Sequence, residues 1–159
     1  MPDQHTLTLS SSSPEHSRRM ACALAPHLRT GDTILLSGDV GAGKTHFARA
    51  IIQASLDILE DVPSPTYTLV QTYPGQWGEI WHADLYRLTS TQEIEELGLL
   101  QAFDEAICLV EWPDRLDDLA PSQALGITLS SGDHDNARRI DLRWNDPRWR
   151  DMLEGLADV

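Results

Sequence analysis

The chain has 159 residues, 41% of them hydrophobic, which is enough for a sizeable core and points to one domain over 1–159. Twelve basic against 25 acidic residues leave a net charge of −13, which argues against a domain that grips nucleic acid by itself, because that affinity comes largely from clustered cations. No apolar run reaches the roughly eighteen residues of a membrane span, residues 1–13 lack the apolar stretch of a secretory signal, and Cys22 and Cys108 lie apart with no Cys-x-x-Cys. The expectation is a cytoplasmic protein with reduced thiols and no membrane contact.

Residues 6–9 alternate and predict a first strand. Ser12, Pro14 and Glu15 then open a helix that runs to about Leu28 and stops near Gly31. The apolar run 33–37 predicts a short buried strand, and 45–58 a helix. Two prolines between Glu60 and Pro65 break regular structure. Residues 66–73 and 79–84 read as two strands of a hairpin turning at 74–78, and Ser90 with Glu93 opens a short acidic helix to Leu97, which Gly98 ends. Residues 106–110 are continuously apolar up to Glu111, as in a central strand covered on both faces. Residues 124–130 and 138–143 suggest an antiparallel edge hairpin, and Asp146-Pro147 starts a last helix through Leu156. The fold class is α/β: a sandwich with parallel central strands and antiparallel edge strands.

Between the strand 33–37 and the helix that follows, Gly38 to Thr45 fit Gly-x-x-x-x-Gly-Lys-[Ser/Thr], the phosphate-binding loop or Walker A pattern, at every defined position. Its glycines let the backbone turn tightly and bring N–H groups close to a polyphosphate, toward which the next helix points its positive end. Asp39, Val40, Gly41, Ala42, Gly43, Lys44, Thr45 and His46 are therefore the candidate nucleotide-binding stretch. Lys44 is the only lysine among the 12 basic residues, a compact point charge where arginine would present a planar fork. Thr45 supplies a hydroxyl for Mg²⁺.

Binding becomes turnover only with a metal ligand and a group that positions water. Ligands of an open α/β sheet sit at the carboxyl ends of strands, so Asp84 and Glu111, each ending a predicted strand, are the candidates. His82 shares a face with Asp84; it reads either as half of a His-x-Asp metal pair or as a hydrogen-bonding core histidine. Trp112 can stack on a base or pack beside Pro113. Five of the eleven arginines fall in the last 22 residues, as a basic contact for RNA or an acidic partner, or as a surface paired with Asp141, Asp146 and Asp151.

The loop, Ser64-Pro65-Thr66-Tyr67-Thr68-Leu69-Val70, His82 to Leu88, Glu95-Glu96-Leu97-Gly98 and Ala106 to Pro113 stand in an order that resembles the signature of the bacterial TsaE (YjeE) ATPases. The resemblance covers roughly residues 30–115; His46 and Ala83 depart from the residues common there, without touching a proposed role. It implies a P-loop ATPase, using ATP and Mg²⁺, that works with TsaB and TsaD to form threonylcarbamoyladenosine in tRNAs reading codons that begin with adenine. It implies that the chain meets tRNA only through that complex, is slow alone, and is stimulated by its partners. Carried over to this sequence, Lys44 contacts phosphates, Thr45 and Glu111 hold Mg²⁺, Asp84 supports hydrolysis, Thr66 lies near the terminal phosphate and Trp112 near the nucleotide. The competing expectations are a small-molecule kinase, for which Arg87 and Arg115 are the available phosphate clamps, and a GTP-type switch, which the single lysine deprives of Asn-Lys-x-Asp.

Overall fold

A computed structural model describes residues 4–56 and 61–159. Seven strands, β1 (His5–Ser11), β2 (Thr33–Ser37), β3 (Val70–Gly75), β4 (Gly78–Asp84), β5 (Ile107–Glu111), β6 (Leu125–Ser131) and β7 (Arg138–Trp144), form one sheet in the order β1-β7-β6-β2-β5-β4-β3. The inner strands β6, β2, β5 and β4 are mutually parallel, whereas β7, β1 and β3 join antiparallel. This is the expected mixed sheet, with one correction: β1 pairs with β7, so the 124–143 hairpin is not the edge.

Helices α1 (Pro14–Leu24) and α2 (Lys44–Ser55) cover one face, and α3 (Thr91–Glu96) and α4 (Leu99–Glu105) the other; α5 (Trp149–Glu154) follows β7. The two faces sort side chains by the period of a strand. Ile34, Leu36, Ile107, Leu109 and Ile127 join the core under α1 and α2, while Cys108 and Val110 join Ile94, Leu99 and Phe103 on the opposite side. Every residue of β5 is buried, as its unbroken apolar run requires. Each fully buried Leu or Ile contributes roughly 1.5–3 kcal/mol, so β5 and the strands flanking it form a rigid base for whatever sits at their ends.

Several local expectations shift. The first helix is capped by Ser13, whose hydroxyl accepts from the His16 N–H at 3.1 Å, rather than by Ser12, and it ends at Leu24 in a 3₁₀ turn over Ala25–His27. Residues 66–69 are a turn rather than strand, because Leu69 takes a φ of +69°, which a ladder does not accommodate. Gly98, at φ +80°, does not close the helical region: it ends α3 and serves as the N-cap residue of α4, a helix absent from the sequence reading. The last helix starts at Trp149. The far end of the helix expected to Ile58, together with Glu60, lies outside the described residues.

Candidate nucleotide site

β2 runs straight into the loop, and backbone geometry explains its glycines. Gly38 has φ +140°, and a Cβ there would stand 2.4 Å from the Leu129 carbonyl oxygen of β6. Gly41 at φ +84° has nothing within 4 Å of such a Cβ. Gly38→Ala should therefore lose roughly 2–4 kcal/mol of stability, from backbone strain plus overpacking, against about 1–2 kcal/mol for Gly41→Ala from strain alone. Thermal unfolding of the two variants checks this, and equal losses would remove the role assigned to the β6 contact. Gly43, at φ +107°, is the N-cap residue of α2, so the loop turns directly into the helix that carries Lys44 and Thr45.

Lys44 is buried and folds back onto its own loop, its Nζ donating to the Gly38 carbonyl and, at 3.0 Å, to that of Asp39. The same ammonium lies 4.2 Å from the centroid of the Trp112 ring. Burial holds its pKa below the ordinary 10.5, while the charges of Glu111, Asp84 and Asp39 favour the protonated form and oppose that shift.

The strand register brings the two candidate acids together. Asp84 and Glu111 are paired positions at the carboxyl ends of β4 and β5, on the face covered by α2, and Leu36 of β2 is the other partner of Glu111. Glu111, only 2% exposed, has a donor on each oxygen: the Thr45 hydroxyl donates to Oε1 at 2.7 Å and His82 Nε2 to Oε2 at 2.7 Å. Asp84 is held differently. Its Oδ1 accepts from the Tyr86 backbone N–H at 3.0 Å, and its Oδ2 from the Thr66 hydroxyl at 3.4 Å.

Lys44, Thr45, Asp84 and Glu111 line a cleft of about 400 Å³ together with Val40, Gly41, Gly43, His46, Thr66, Tyr86 and Trp112. Trp112 takes φ +59° immediately after β5, and its ring contacts that of Tyr86 at 4.8 Å between centroids, so it packs in the cleft wall as well as over Lys44. His46 borders the cleft, while its Nε2 donates to the Pro14 carbonyl at 3.0 Å. Asp39 and Ala42 lie on the loop's other flank, where Arg138 of β7 donates to the Ala42 carbonyl at 3.1 Å. Beside that contact is a mainly apolar hollow of about 230 Å³, lined by Phe47, Leu129, Asn136 and Arg138 among others. Tyr86, His82 as a partner of Glu111, and Arg138 as a brace of the loop are thus additions that only the folded chain brings to the site.

The donors suit one kind of metal. Among the described residues no three His, Cys, Asp or Glu side chains gather to hold an ion by themselves. A hydroxyl and a carboxylate 2.7 Å apart at the N-terminus of α2 are instead the partial oxygen set that Mg²⁺ takes when phosphate oxygens complete its shell. The Thr45 hydroxyl can keep donating to Glu111 and still offer a lone pair.

Among the described residues, no helix is long and apolar enough to cross a membrane. The family model described as "Threonylcarbamoyl adenosine biosynthesis protein TsaE" matches residues 11–140. Proteins named tRNA threonylcarbamoyladenosine biosynthesis protein TsaE are similar to this chain over most of their length. That of Rickettsia bellii is 39% identical over 77% of this chain and 85% of its own. That of Bacillus subtilis is 34% identical over 91% of this chain and 89% of its own. The crystal structure of YdiB from Bacillus subtilis shares the fold with a TM-score of 0.77 at 26% identity, covering 98% of this chain and 97% of that one. With a glycine loop, a mixed sheet and a family match spanning most of its length, this chain belongs to the TsaE family of threonylcarbamoyl adenosine biosynthesis proteins.

Proposed function

We propose that this chain binds ATP with Mg²⁺ in the cleft above α2 and hydrolyses it, slowly alone and faster with TsaB and TsaD, during formation of threonylcarbamoyladenosine in tRNAs reading codons that begin with adenine. The observation that carries the nucleotide reading is the 2.7 Å contact between Thr45 of the loop and Glu111 of β5, which joins the phosphate-binding element to the carboxylate needed beside it. Thr45 and Glu111 would hold Mg²⁺, which when bound neutralises charge on the phosphoryl oxygens.

The chain's own residues do the rest. The backbone N–H groups of Gly41, Gly43, Lys44 and Thr45 would meet the phosphates, that of Ala42 being spent on the Asp39 carbonyl at 3.0 Å, and Lys44 would exchange its two loop carbonyls for phosphate oxygens. Asp84 accepts a hydrogen bond from the attacking water and orients it; Thr66, bonded to both Ser64 and Asp84, ties the 64–69 turn to that water. The different partners of the two acids support this division, with Glu111 on the loop threonine and Asp84 on the turn. The hollow beside Arg138 suits the less polar end of a nucleotide.

Two observations bear on partners and rivals. Arg148 pairs with Asp32, Arg138 with backbone carbonyls and Arg139, on the surface, with Asp141, so three of the five C-terminal arginines already have partners within the chain. That supports contact with tRNA through the complex. Arg87 lies over the Tyr67 ring and Arg115 donates to the Tyr86 carbonyl, outside the cleft, so the kinase reading gains no phosphate clamp.

The test is phosphate release from ATP by the chain alone and with purified TsaB, TsaD and tRNA. The expected result is slow release that rises severalfold when all partners are present. Release indifferent to the partners would overturn the complex-bound reading.

A further inference from the structure

His82 has no part in the function so far, yet it is fully buried and bonded to the centre of the site. It lies on β4 two residues before Asp84, so both side chains point to the α2 face. Its Nε2 meets Glu111 Oε2 at 2.7 Å; a carboxylate only accepts, so the ring nitrogen donates. Its other nitrogen, Nδ1, is buried with no hydrogen-bond partner among the described residues. A buried N–H left orphaned is rarer than a bare acceptor, which agrees with the proton residing on Nε2.

We propose that His82 is a positioning residue for Glu111: by tying Oε2 back to the sheet it holds Oε1 toward Thr45 and the cleft, in the orientation a magnesium–nucleotide complex needs. The inference rests on the reading of Glu111 as a ligand of Mg²⁺. Without His82, a glutamate side chain has three torsions through which to leave the cleft, and each Mg²⁺ binding event must first select one arrangement. Hydrogen-bonded partners of metal ligands characteristically change metal affinity or activity by about 10–100-fold when removed.

His82→Gln retains an amide donor near the position of Nε2, whereas His82→Asn reaches only the position of Nδ1 and loses the bond to Glu111. The measurement is binding of a fluorescent ADP analogue, titrated with Mg²⁺ and repeated in excess chelator, with Glu111→Gln as reference and thermal unfolding as a check on folding. His82→Asn should raise the Mg²⁺ concentration for half-maximal effect by about 10–100-fold, His82→Gln should recover most of it, and affinity in chelator should stay near that of the parent. Should His82→Asn fail to fold, His82→Leu supplies the variant without a donor.

If the variants lacking the donor keep the parental Mg²⁺ dependence while Glu111→Gln shifts it, the positioning role is wrong and the metal reading stands. If Glu111→Gln shifts nothing either, the metal reading fails and this inference with it. Equal shifts in the Gln and Asn variants would also overturn the proposal, since the donor would then not be what matters.

Discussion

Lys44→Ala should cut phosphate release by at least about a hundredfold, the scale on which a single preorganised donor to a developing anion is felt. The variant should stay folded. The Lys44 ammonium is buried, and burial holds its pKa down, so its desolvation offsets much of what its bonds to two loop carbonyls and the Trp112 face return. Removing it takes the charge away from the loop; the buried carboxylates of Glu111 and Asp84 lose a nearby cation but keep the hydrogen-bond donors that hold them. Lys44→Arg should recover little, although it restores the charge: the space between the carbonyls of Gly38 and Asp39 and the indole ring suits a compact ammonium and not a planar fork. Single-turnover hydrolysis and thermal unfolding of both variants check this. Near-parental turnover in Lys44→Arg would show that charge alone suffices, and near-parental turnover in Lys44→Ala would remove the loop from the chemistry.

The loop was legible because its physics is local. Glycine conformations, a strand feeding it and a helix leaving it are written in the consecutive residues from Thr33 to Ser55, and the strand β5 is equally plain from its apolar run. What escaped depends on partners distant in sequence. The partner of His82 is 29 positions away and is chosen by the parallel register of β4 on β5, which no local pattern states. Arg138 meets the loop across 96 positions. Likewise β1 finds β7 and takes the edge, so the later hairpin lies inside the sheet. Gly98 misled for a different reason: a left-handed glycine stops a helix and can also begin one, and both happen at this residue. The two acids could be found from strand ends; the separate roles proposed for them draw on which hydroxyl each one faces, and strand ends alone do not state that.

Glu111→Gln tests that difference most sharply. The substitution keeps the side chain's volume in a site only 2% exposed, so it should fold, at a cost of about 1–3 kcal/mol, because its amide NH₂ now confronts either the Thr45 hydroxyl or the His82 Nε2–H, both donors in the parent. Glu111→Ala would leave both donors bare beside a cavity and confound stability with function. Turnover of Glu111→Gln should fall about 100–1,000-fold at low Mg²⁺ and recover in part as Mg²⁺ rises, the response of a weakened metal site. Asp84→Asn should also lose turnover, yet keep the parental Mg²⁺ requirement, because Asp84 faces the Thr66 turn and the Tyr86 N–H rather than Thr45. Phosphate release measured across a Mg²⁺ series for both variants separates the two roles. If the Mg²⁺ requirement moves in Asp84→Asn and not in Glu111→Gln, the assignment is reversed: Asp84 would be the metal ligand, and Glu111, held between Thr45 and His82, would be the group that shapes the loop.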